Sequence, residues 1–279
     1  SKTPFALNQE QAVSRRPVPL ERLLSADRPP AGIRAAVQRR VPSRDCDIEA
    51  IEVPSCPKVW VPAWLFVPRK TALAKPLVVA LEPGGRNVRW REGELYQSLA
   101  AEGVAVCVAN LRGLGDLTPE FSRGAAGYAR SHNEDEDYAW ASLILGKPLL
   151  GQRVTDILAV TQALRAHQAV AGRRLVLAAQ DHLTVPALFA AALDPDIHSL
   201  YLARGLVSYR SIVDTENYNH PFANFVPELL NSTDLPEVAA SVAPRRVVLA
   251  GTLDAAGKAL DPTAVRRLYA KAPNTEILA

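Results

Sequence analysis

The segment RRLVLAAQDHLTVPALFAAALDP, residues 173–195, joins a strand pattern to a helix pattern across a short polar break. The predicted strand at residues 174–178 is apolar from Leu175 onward, a composition found in strands that are buried on both faces of a sheet. The alanine-rich stretch 184–194 is long enough to form the helix that follows this strand. Asp181 lies where the strand turns into the helix, so the segment predicts a strand–helix unit with a carboxylate at its turn.

The same alternation of strand and helix continues along most of the chain. Apolar strand patterns recur at residues 77–81, 104–109, 199–203 and 246–250, with a candidate sixth strand at 274–279. Helical spacing is present at residues 93–103 and 150–168. Strands that alternate with helices in this way predict an α/β fold, with a mostly parallel central sheet and helices on both faces.

The N-terminal part of the chain departs from this alternation. Residues 1–45 are rich in Pro and Arg and contain only short helical patterns, at 19–26 and 31–40, which predicts an arm that leans on the main domain. Residues 47–53 and 59–68 are rich in β-branched and aromatic residues and are separated by turn signals. They predict an N-terminal antiparallel hairpin at an edge of the sheet.

The composition favours a globular domain and disfavours two classes of partner. The chain has 279 residues and 48% hydrophobic content, which is ample for a buried core. Its 32 basic and 29 acidic residues leave a net charge of only +3, so neither nucleic acid nor an anionic membrane surface is expected as a partner. No stretch approaches 18 uninterrupted apolar residues, so no transmembrane helix is expected.

The three cysteines give no sign of a metal site. Cys46, Cys56 and Cys107 form no CxxC pair and have no histidine at metal-ligand spacing. Cys107 lies in an apolar run and is expected to be buried. Cys46 and Cys56 flank a predicted strand, where they could pair in an oxidising compartment or stay as free thiols, and the sequence leaves both open. We therefore expect no metal and no cofactor, and the compartment stays undecided.

A loop with adjacent glycines follows the first of the predicted parallel strands. Ligands of parallel sheets bind beyond the carboxyl ends of the strands, and the loop EPGGRN, residues 82–87, begins at such an end. Gly84 and Gly85, followed by Arg86, would let the backbone turn free N–H groups toward one point, as an oxyanion hole requires. An ordinary Pro-Gly turn explains the same residues, and this alternative stays open.

Two carboxylates and three histidines are the candidate catalytic side chains. Asp181 lies at the strand-to-helix turn, where a carboxylate can act as a nucleophile through an ester intermediate that an activated water then opens. Asp254 follows the fifth strand pattern and suits the acid of a catalytic triad, although an Asp that begins a turn is an equal alternative. His182 and His220 are the candidate bases, together with His132 in an acidic loop.

Several pieces of the sequence, in their order along the chain, resemble a known family. They are PLVVALEPGGRN, ANLRGLGD, LLGQRVTDILAVTQAL, ALFAAALDP, LVSYRSIV, DLPEVAASVAPRRVVLAG and LDAAGK. Together they resemble the α/β-hydrolases of the acetyl xylan esterase and dipeptidyl-peptidase-like type. The resemblance implies an α/β-hydrolase-like domain over residues 46–279 and a relationship to carboxylic-ester hydrolases.

The resemblance also implies which catalytic residues an active member has. It implies a serine at the elbow between strand and helix, an acid after the strand that matches RRVVLAG, and a late histidine. This chain has Asp181 at the first position and Asp254 at the second, and no histidine follows His220. The pair Gln180–Asp181 also resembles the elbow of haloalkane dehalogenases and epoxide hydrolases, which need the late histidine to activate water.

Two functions follow from this pattern. The first is a catalytically inactive hydrolase-fold domain that binds an ester or carbohydrate ligand, or that supports a neighbouring hydrolase domain of a longer chain. The second is an active ester hydrolase with a rearranged catalytic set around Asp181. The missing serine and late histidine favour the first, although a histidine from another loop or from beyond residue 279 would restore the second.

Overall fold

The fold is described from a computed structural model, which covers residues 18–70, 74–119 and 134–279. These residues form nine strands: β1 Ala36–Pro42, β2 Cys46–Cys56, β3 Val59–Pro68, β4 Leu77–Leu81, β5 Ala105–Ala109, β6 Leu175–Gln180, β7 Ser199–Ala203, β8 Val247–Ala250 and β9 Thr275–Leu278. They also form eight α-helices: α1 Leu20–Leu24, α2 Leu95–Ala101, α3 Glu134–Ile144, α4 Leu149–Arg165, α5 Thr184–Leu193, α6 Tyr209–Val213, α7 Leu235–Ser241 and α8 Pro262–Leu268. Within these ranges, no helix is long and apolar enough to cross a membrane.

All the strands belong to a single sheet with the order β1-β2-β3-β5-β4-β6-β7-β8-β9. The pairs β1/β2, β2/β3 and β3/β5 are antiparallel, and every pair from β5 to β9 is parallel. The five apolar patterns of the sequence are thus confirmed as adjacent parallel strands, and the candidate sixth strand is β9. They could be recognised because helices cover both faces, which leaves strands such as β5 buried at every residue.

The N-terminal edge of the sheet differs from the expectation. The helix predicted for residues 31–40 is wrong, because residues 36–42 form the edge strand β1, and the hairpin of β2 and β3 lies one strand further in. Arg40 of β1 also forms an ion pair with the buried Glu49 of β2. Backbone pairing with β2 outweighs the intrinsic helix preference of the Ala, Gln and Arg side chains, because tertiary contacts readily override such preferences. Part of the predicted arm is therefore built into the sheet.

All three cysteines are free thiols. Cys46 and Cys56 lie at opposite ends of strand β2. About 33 Å of extended chain separates them, whereas a disulfide needs Cα atoms within about 7 Å. The alternative that these two residues pair is therefore wrong for this fold. Cys107 is buried as expected, and burial raises the pKa of its thiol to about 12.

Helix α4 packs between the sheet and the N-terminal arm. It contacts β2 on one side and both α1 and α5 on others. The contact with the arm depends on Gly151, because a Cβ atom at that position would lie 1.7 Å from the carbonyl oxygen of Leu24. Leu24 is completely buried beneath this contact. The missing side chain of Gly151 is thus what lets the arm lie directly on the helix.

Gly151→Ala should therefore destabilise the protein. The new methyl group overlaps a backbone atom, so the arm has to move away from α4, and overpacking of this kind costs about 1–3 kcal/mol. The measurement is urea unfolding followed by circular dichroism. Alanine is favoured over glycine inside a helix by about 1 kcal/mol, so a variant that is more stable than the wild type would show that the arm does not pack here in solution.

Candidate functional site

The turn between β6 and α5 forms the elbow that the sequence predicts. The strand ends at Gln180, a single 3-10 turn covers Asp181–Leu183, and the helix begins at Thr184. Asp181 has a φ of 50°, a left-handed conformation that non-glycine residues seldom adopt. The hydroxyl of Thr184 donates to the carbonyl oxygen of Asp181 at 2.7 Å and stabilises this turn. The sharp turn presents the Asp181 side chain at the carboxyl edge of the sheet.

The partner of the elbow carboxylate is an arginine. Arg204 follows β7, the strand next to β6, and its Nε atom donates to Oδ1 of Asp181 at 3.0 Å. Both side chains are partly exposed, at 40% for Asp181 and 64% for Arg204. Within the described part of the chain, no histidine forms a hydrogen bond or ion pair with Asp181. Since a guanidinium stays protonated at all ordinary pH values, Arg204 has no capacity to accept a proton from a reacting group.

A cleft of about 240 Å³ opens beside the elbow. Four side chains that the sequence identifies as candidate catalytic residues line it: Asp181, His182, His220 and Asp254. The cleft is completed by Arg204 and Asn219 and by apolar residues such as Leu206 and Leu253. These residues come from segments far apart in the chain, which meet because each follows, or folds back over, the carboxyl end of a parallel strand.

Asn224 connects the two histidines of the cleft. It is completely buried, and its Nδ2 atom donates to the carbonyl oxygen of His182 at 2.8 Å and lies 3.0 Å from Nε2 of His220. Burial lowers the pKa of His182 to about 3, and the neighbouring Arg153 and His220 contribute in the same direction. Burial also lowers the pKa of His220 to about 4. Both imidazoles are therefore neutral near pH 7.

These two histidines should make the fold sensitive to acid. In the unfolded chain each imidazole takes up a proton near pH 6.5, whereas in the folded protein it stays neutral until about pH 4 for His220. Acid therefore favours the unfolded state, and each histidine lowers the free energy of unfolding by about 1.4 kcal/mol for every pH unit within this window.

The measurement is the difference in unfolding free energy between wild type and His220→Gln from pH 7 to pH 4.5. This difference should change steadily as the pH falls below 6.5. His198→Gln is the matched control, because it removes the same type of side chain from an exposed position outside the cleft. A difference for His220→Gln that does not vary with pH would contradict the burial of its neutral form.

Asp254 lies in the cleft but also holds a tight turn. Its Oδ1 atom accepts from the backbone N–H of Lys258 at 2.8 Å, and its own N–H donates to the carbonyl oxygen of Lys258 at 2.9 Å. Asp254 thus begins a turn, which is the alternative that the sequence left open for this residue. Within the described residues no histidine bonds to its carboxylate, so its part as a catalytic acid stays a prediction.

The glycine loop after β4 differs from the expected oxyanion hole. The backbone N–H of Gly85 donates to the carbonyl oxygen of Glu82 at 2.9 Å, and that of Arg86 donates to Oδ1 of Asn110 at 2.5 Å. Both donors are therefore already used within the protein. The loop, Gly84 included, does not line the cleft. The Arg86 side chain bonds to Asp116 at 2.6 Å, so this loop is stabilised as a structural turn.

Arg204 and Asn224 are site residues that are not among the candidates predicted from the sequence. Arg204 directly follows a predicted strand, so the same strand-end argument that selects Asp181 and Asp254 also applies to it. Asn224 ends a short 3-10 turn between α6 and α7, and it carries no local signal. The remaining candidate, His132, lies outside the described residues. Among the described residues, no three His, Cys, Asp or Glu side chains are grouped closely enough to hold a metal ion.

The sheet order, the elbow after β6 and the cleft beyond the carboxyl ends of the strands define an α/β-hydrolase fold. A candidate acetyl xylan esterase from Bacteroides fragilis has this fold, with a TM-score of 0.70 and 15% identity over 99% of this chain and 82% of that one. The acetyl xylan esterase of Paenibacillus sp. R4 matches with a TM-score of 0.62 and 17% identity, over 100% of this chain and 89% of that one. A glucuronoyl esterase from Solibacter usitatus matches with a TM-score of 0.58 and 12% identity, over 94% of this chain and 81% of that one.

No protein-family model and no curated protein sequence matches this chain. The structural likeness confirms the resemblance to α/β-hydrolases of the acetyl xylan esterase type at the level of the fold. At identities of 12 to 17% it does not transfer an activity. Any catalytic or binding activity depends on the side chains of the cleft.

Proposed function

We propose that this chain is an esterase-related α/β-hydrolase domain that binds a ligand in the elbow cleft without hydrolysing it. The observation that carries the proposal is the bond between Asp181 and Arg204. A carboxylate nucleophile forms an ester that must be opened by water, and the water needs a base. The residue that contacts Asp181 is a permanent cation, which cannot be that base.

The chemistry of the cleft favours a neutral, oxygen-rich ligand. Asp181 is neutralised by Arg204, and both histidines are uncharged near pH 7. Arg204 uses only Nε on Asp181, so its two terminal nitrogens can donate to a ligand. Asp254 supplies a carboxylate oxygen that accepts. A mixture of donors and acceptors with little net charge suits hydroxyl and carbonyl groups, as in a carbohydrate or its ester.

The size of the cleft limits what enters it. Its volume of about 240 Å³ lies just below the range of about 300–1,000 Å³ that is typical of ligand pockets. We therefore propose that one sugar-sized ring, or an ester group attached to one, occupies it. Two structural neighbours are named for the acetylated polysaccharide xylan, which supports the choice of xylan fragments as probes.

A second candidate function is an active ester hydrolase. It is favoured by the one observation that Asp181, His182, His220 and Asp254 all line the same cleft. Against it, neither carboxylate is bonded to a histidine in the described part of the chain. Rate measurements separate the two candidates, as set out in the Discussion.

The binding proposal is tested by isothermal titration calorimetry with xylotriose and with acetylated xylotriose. Saturable binding is expected for at least one of them. Arg204→Ala removes hydrogen bonds from a charged donor, which should weaken binding by about 10- to 100-fold. Arg210→Ala is the matched control, because Arg210 forms a somewhat more exposed ion pair with Asp214 outside the cleft and its loss should leave binding unchanged. Absence of saturable binding, or equal effects of both variants, would overturn the proposal.

A further inference from the structure

The orientation of the Asn224 amide is fixed by the elbow. The amide group of Asn224 faces the carbonyl oxygen of His182 at 2.8 Å. A backbone carbonyl oxygen only accepts hydrogen bonds, so the amide atom that faces it must be the NH₂ group. With the amide reversed, two oxygens would meet at this distance inside a completely buried site. The nitrogen assignment therefore follows from the partner.

The same nitrogen determines the protonation of His220. Nδ2 of Asn224 lies 3.0 Å from Nε2 of His220. An amide nitrogen donates and has no acceptor capacity, so Nε2 of His220 must provide the lone pair. A neutral imidazole carries its single proton on one nitrogen only, and here that nitrogen has to be Nδ1. A proton on Nε2 would set two N–H groups against each other.

We infer that Asn224 holds His220 as the Nδ1–H tautomer, and that this N–H is a hydrogen-bond donor to an oxygen atom of the ligand. His220 lines the cleft. Its Nδ1 atom is not buried, and within the described residues nothing accepts from it. The tautomer follows from the protein alone, whereas the role toward a ligand rests on the proposed binding function.

The tautomer also decides what His220 does not do. Its one lone pair is already used by Asn224, and the nitrogen that is open to the cleft already carries a proton. His220 is thus unable to take a proton from water or from a hydroxyl group while the bond to Asn224 stands. The ligand group opposite it must be a carbonyl, ether or hydroxyl oxygen, because an ammonium or amide N–H would face another donor.

The test is long-range ¹H–¹⁵N NMR of the histidine side chains at pH 7 in the ligand-free protein. His220→Gln assigns the signal, and the exposed His198 serves as the internal reference. The expected result is a protonated Nδ1 and an unprotonated Nε2 for His220. A protonated Nε2, or an imidazolium, overturns the inference. Asn224→Ala should remove the preference for Nδ1–H. If that variant does not fold, the wild-type spectrum alone decides.

Addition of xylotriose to the same sample tests the donor role. The Nδ1–H signal of His220 should shift as the cleft saturates, and signals of His198 should not. Saturable binding that leaves the Nδ1–H signal unmoved overturns the donor role. Absence of binding of both xylotriose and acetylated xylotriose overturns the proposed function instead, and the ligand-free spectrum still decides the tautomer.

Discussion

The purified chain should hydrolyse activated acetyl esters no faster than buffer does, and Asp181→Ser should not rescue it. Removal of the nucleophile or of the base from a serine hydrolase costs about six decades in kcat. A serine at the elbow would restore the hydroxyl group, but no described histidine forms a hydrogen bond with the side chain at that position to take its proton. The N–H groups of Gly85 and Arg86, expected to bind the oxyanion, are already bonded within the protein.

The measurement compares wild type, Asp181→Ala and Asp181→Ser with acetyl esters of a chromogenic phenol. All three should match the buffer rate. Robust ester hydrolysis by the wild type that is abolished in Asp181→Ala would establish a carboxylate nucleophile and contradict the proposal that the cleft only binds its ligand. Turnover that survives in Asp181→Ala would place the active group elsewhere. Turnover gained only in Asp181→Ser would reveal a base that the described residues do not show.

Asp156→Ala should lower the free energy of unfolding by about 3–5 kcal/mol, because it leaves an uncompensated charge in the interior. Asp156 of α4 is completely buried and forms an ion pair at 2.8 Å with Arg112, which is 11% exposed. It also accepts from the backbone N–H of Arg112 at 3.0 Å and from the hydroxyl of Ser55 at 2.5 Å. Loss of the carboxylate removes the shared acceptor of these donors at once, and the Arg112 guanidinium keeps hydrogen bonds to Gln152 and Ser55, neither of which carries a compensating charge.

The matched control is Asp214→Ala, which also removes an aspartate from an ion pair with arginine. Asp214 is 58% exposed and Arg210 is 72% exposed, so this pair should contribute less than about 1 kcal/mol. Both variants are compared with wild type by guanidinium unfolding. If Asp156→Ala does not fold, Asp156→Asn, which keeps part of the hydrogen bonding, gives the measurement. Equal costs for Asp156→Ala and Asp214→Ala would show that the buried ion pair contributes no more to stability than the exposed one.

The sequence contained enough information to predict the parallel half of the sheet. Strands that are buried on both faces need apolar residues at nearly every position. Because this requirement is local, each of the strands β4 to β8 can be predicted from its own residues. The helix that the pattern of residues 31–40 predicts is wrong because β1 is an edge strand. The extended structure of β1 depends on its pairing with β2, and the composition of β1 alone does not indicate that pairing.

The candidate site likewise has features that local sequence predicts and features that only tertiary packing determines. The position of Asp181 at the elbow, and of Asp254 after a later strand, follows from chain order alone, because a strand-end rule operates on one segment at a time. The partner of Asp181 depends instead on which strand lies beside β6, and only the packed sheet places Arg204 there. Likewise Asn224 reaches His182 and His220 through the folded loop. The sequence by itself determined that a carboxylate, Asp181, lies at the elbow. Only the tertiary structure decided that this carboxylate is paired with the cation Arg204, because contacts between distant segments form only when the chain packs.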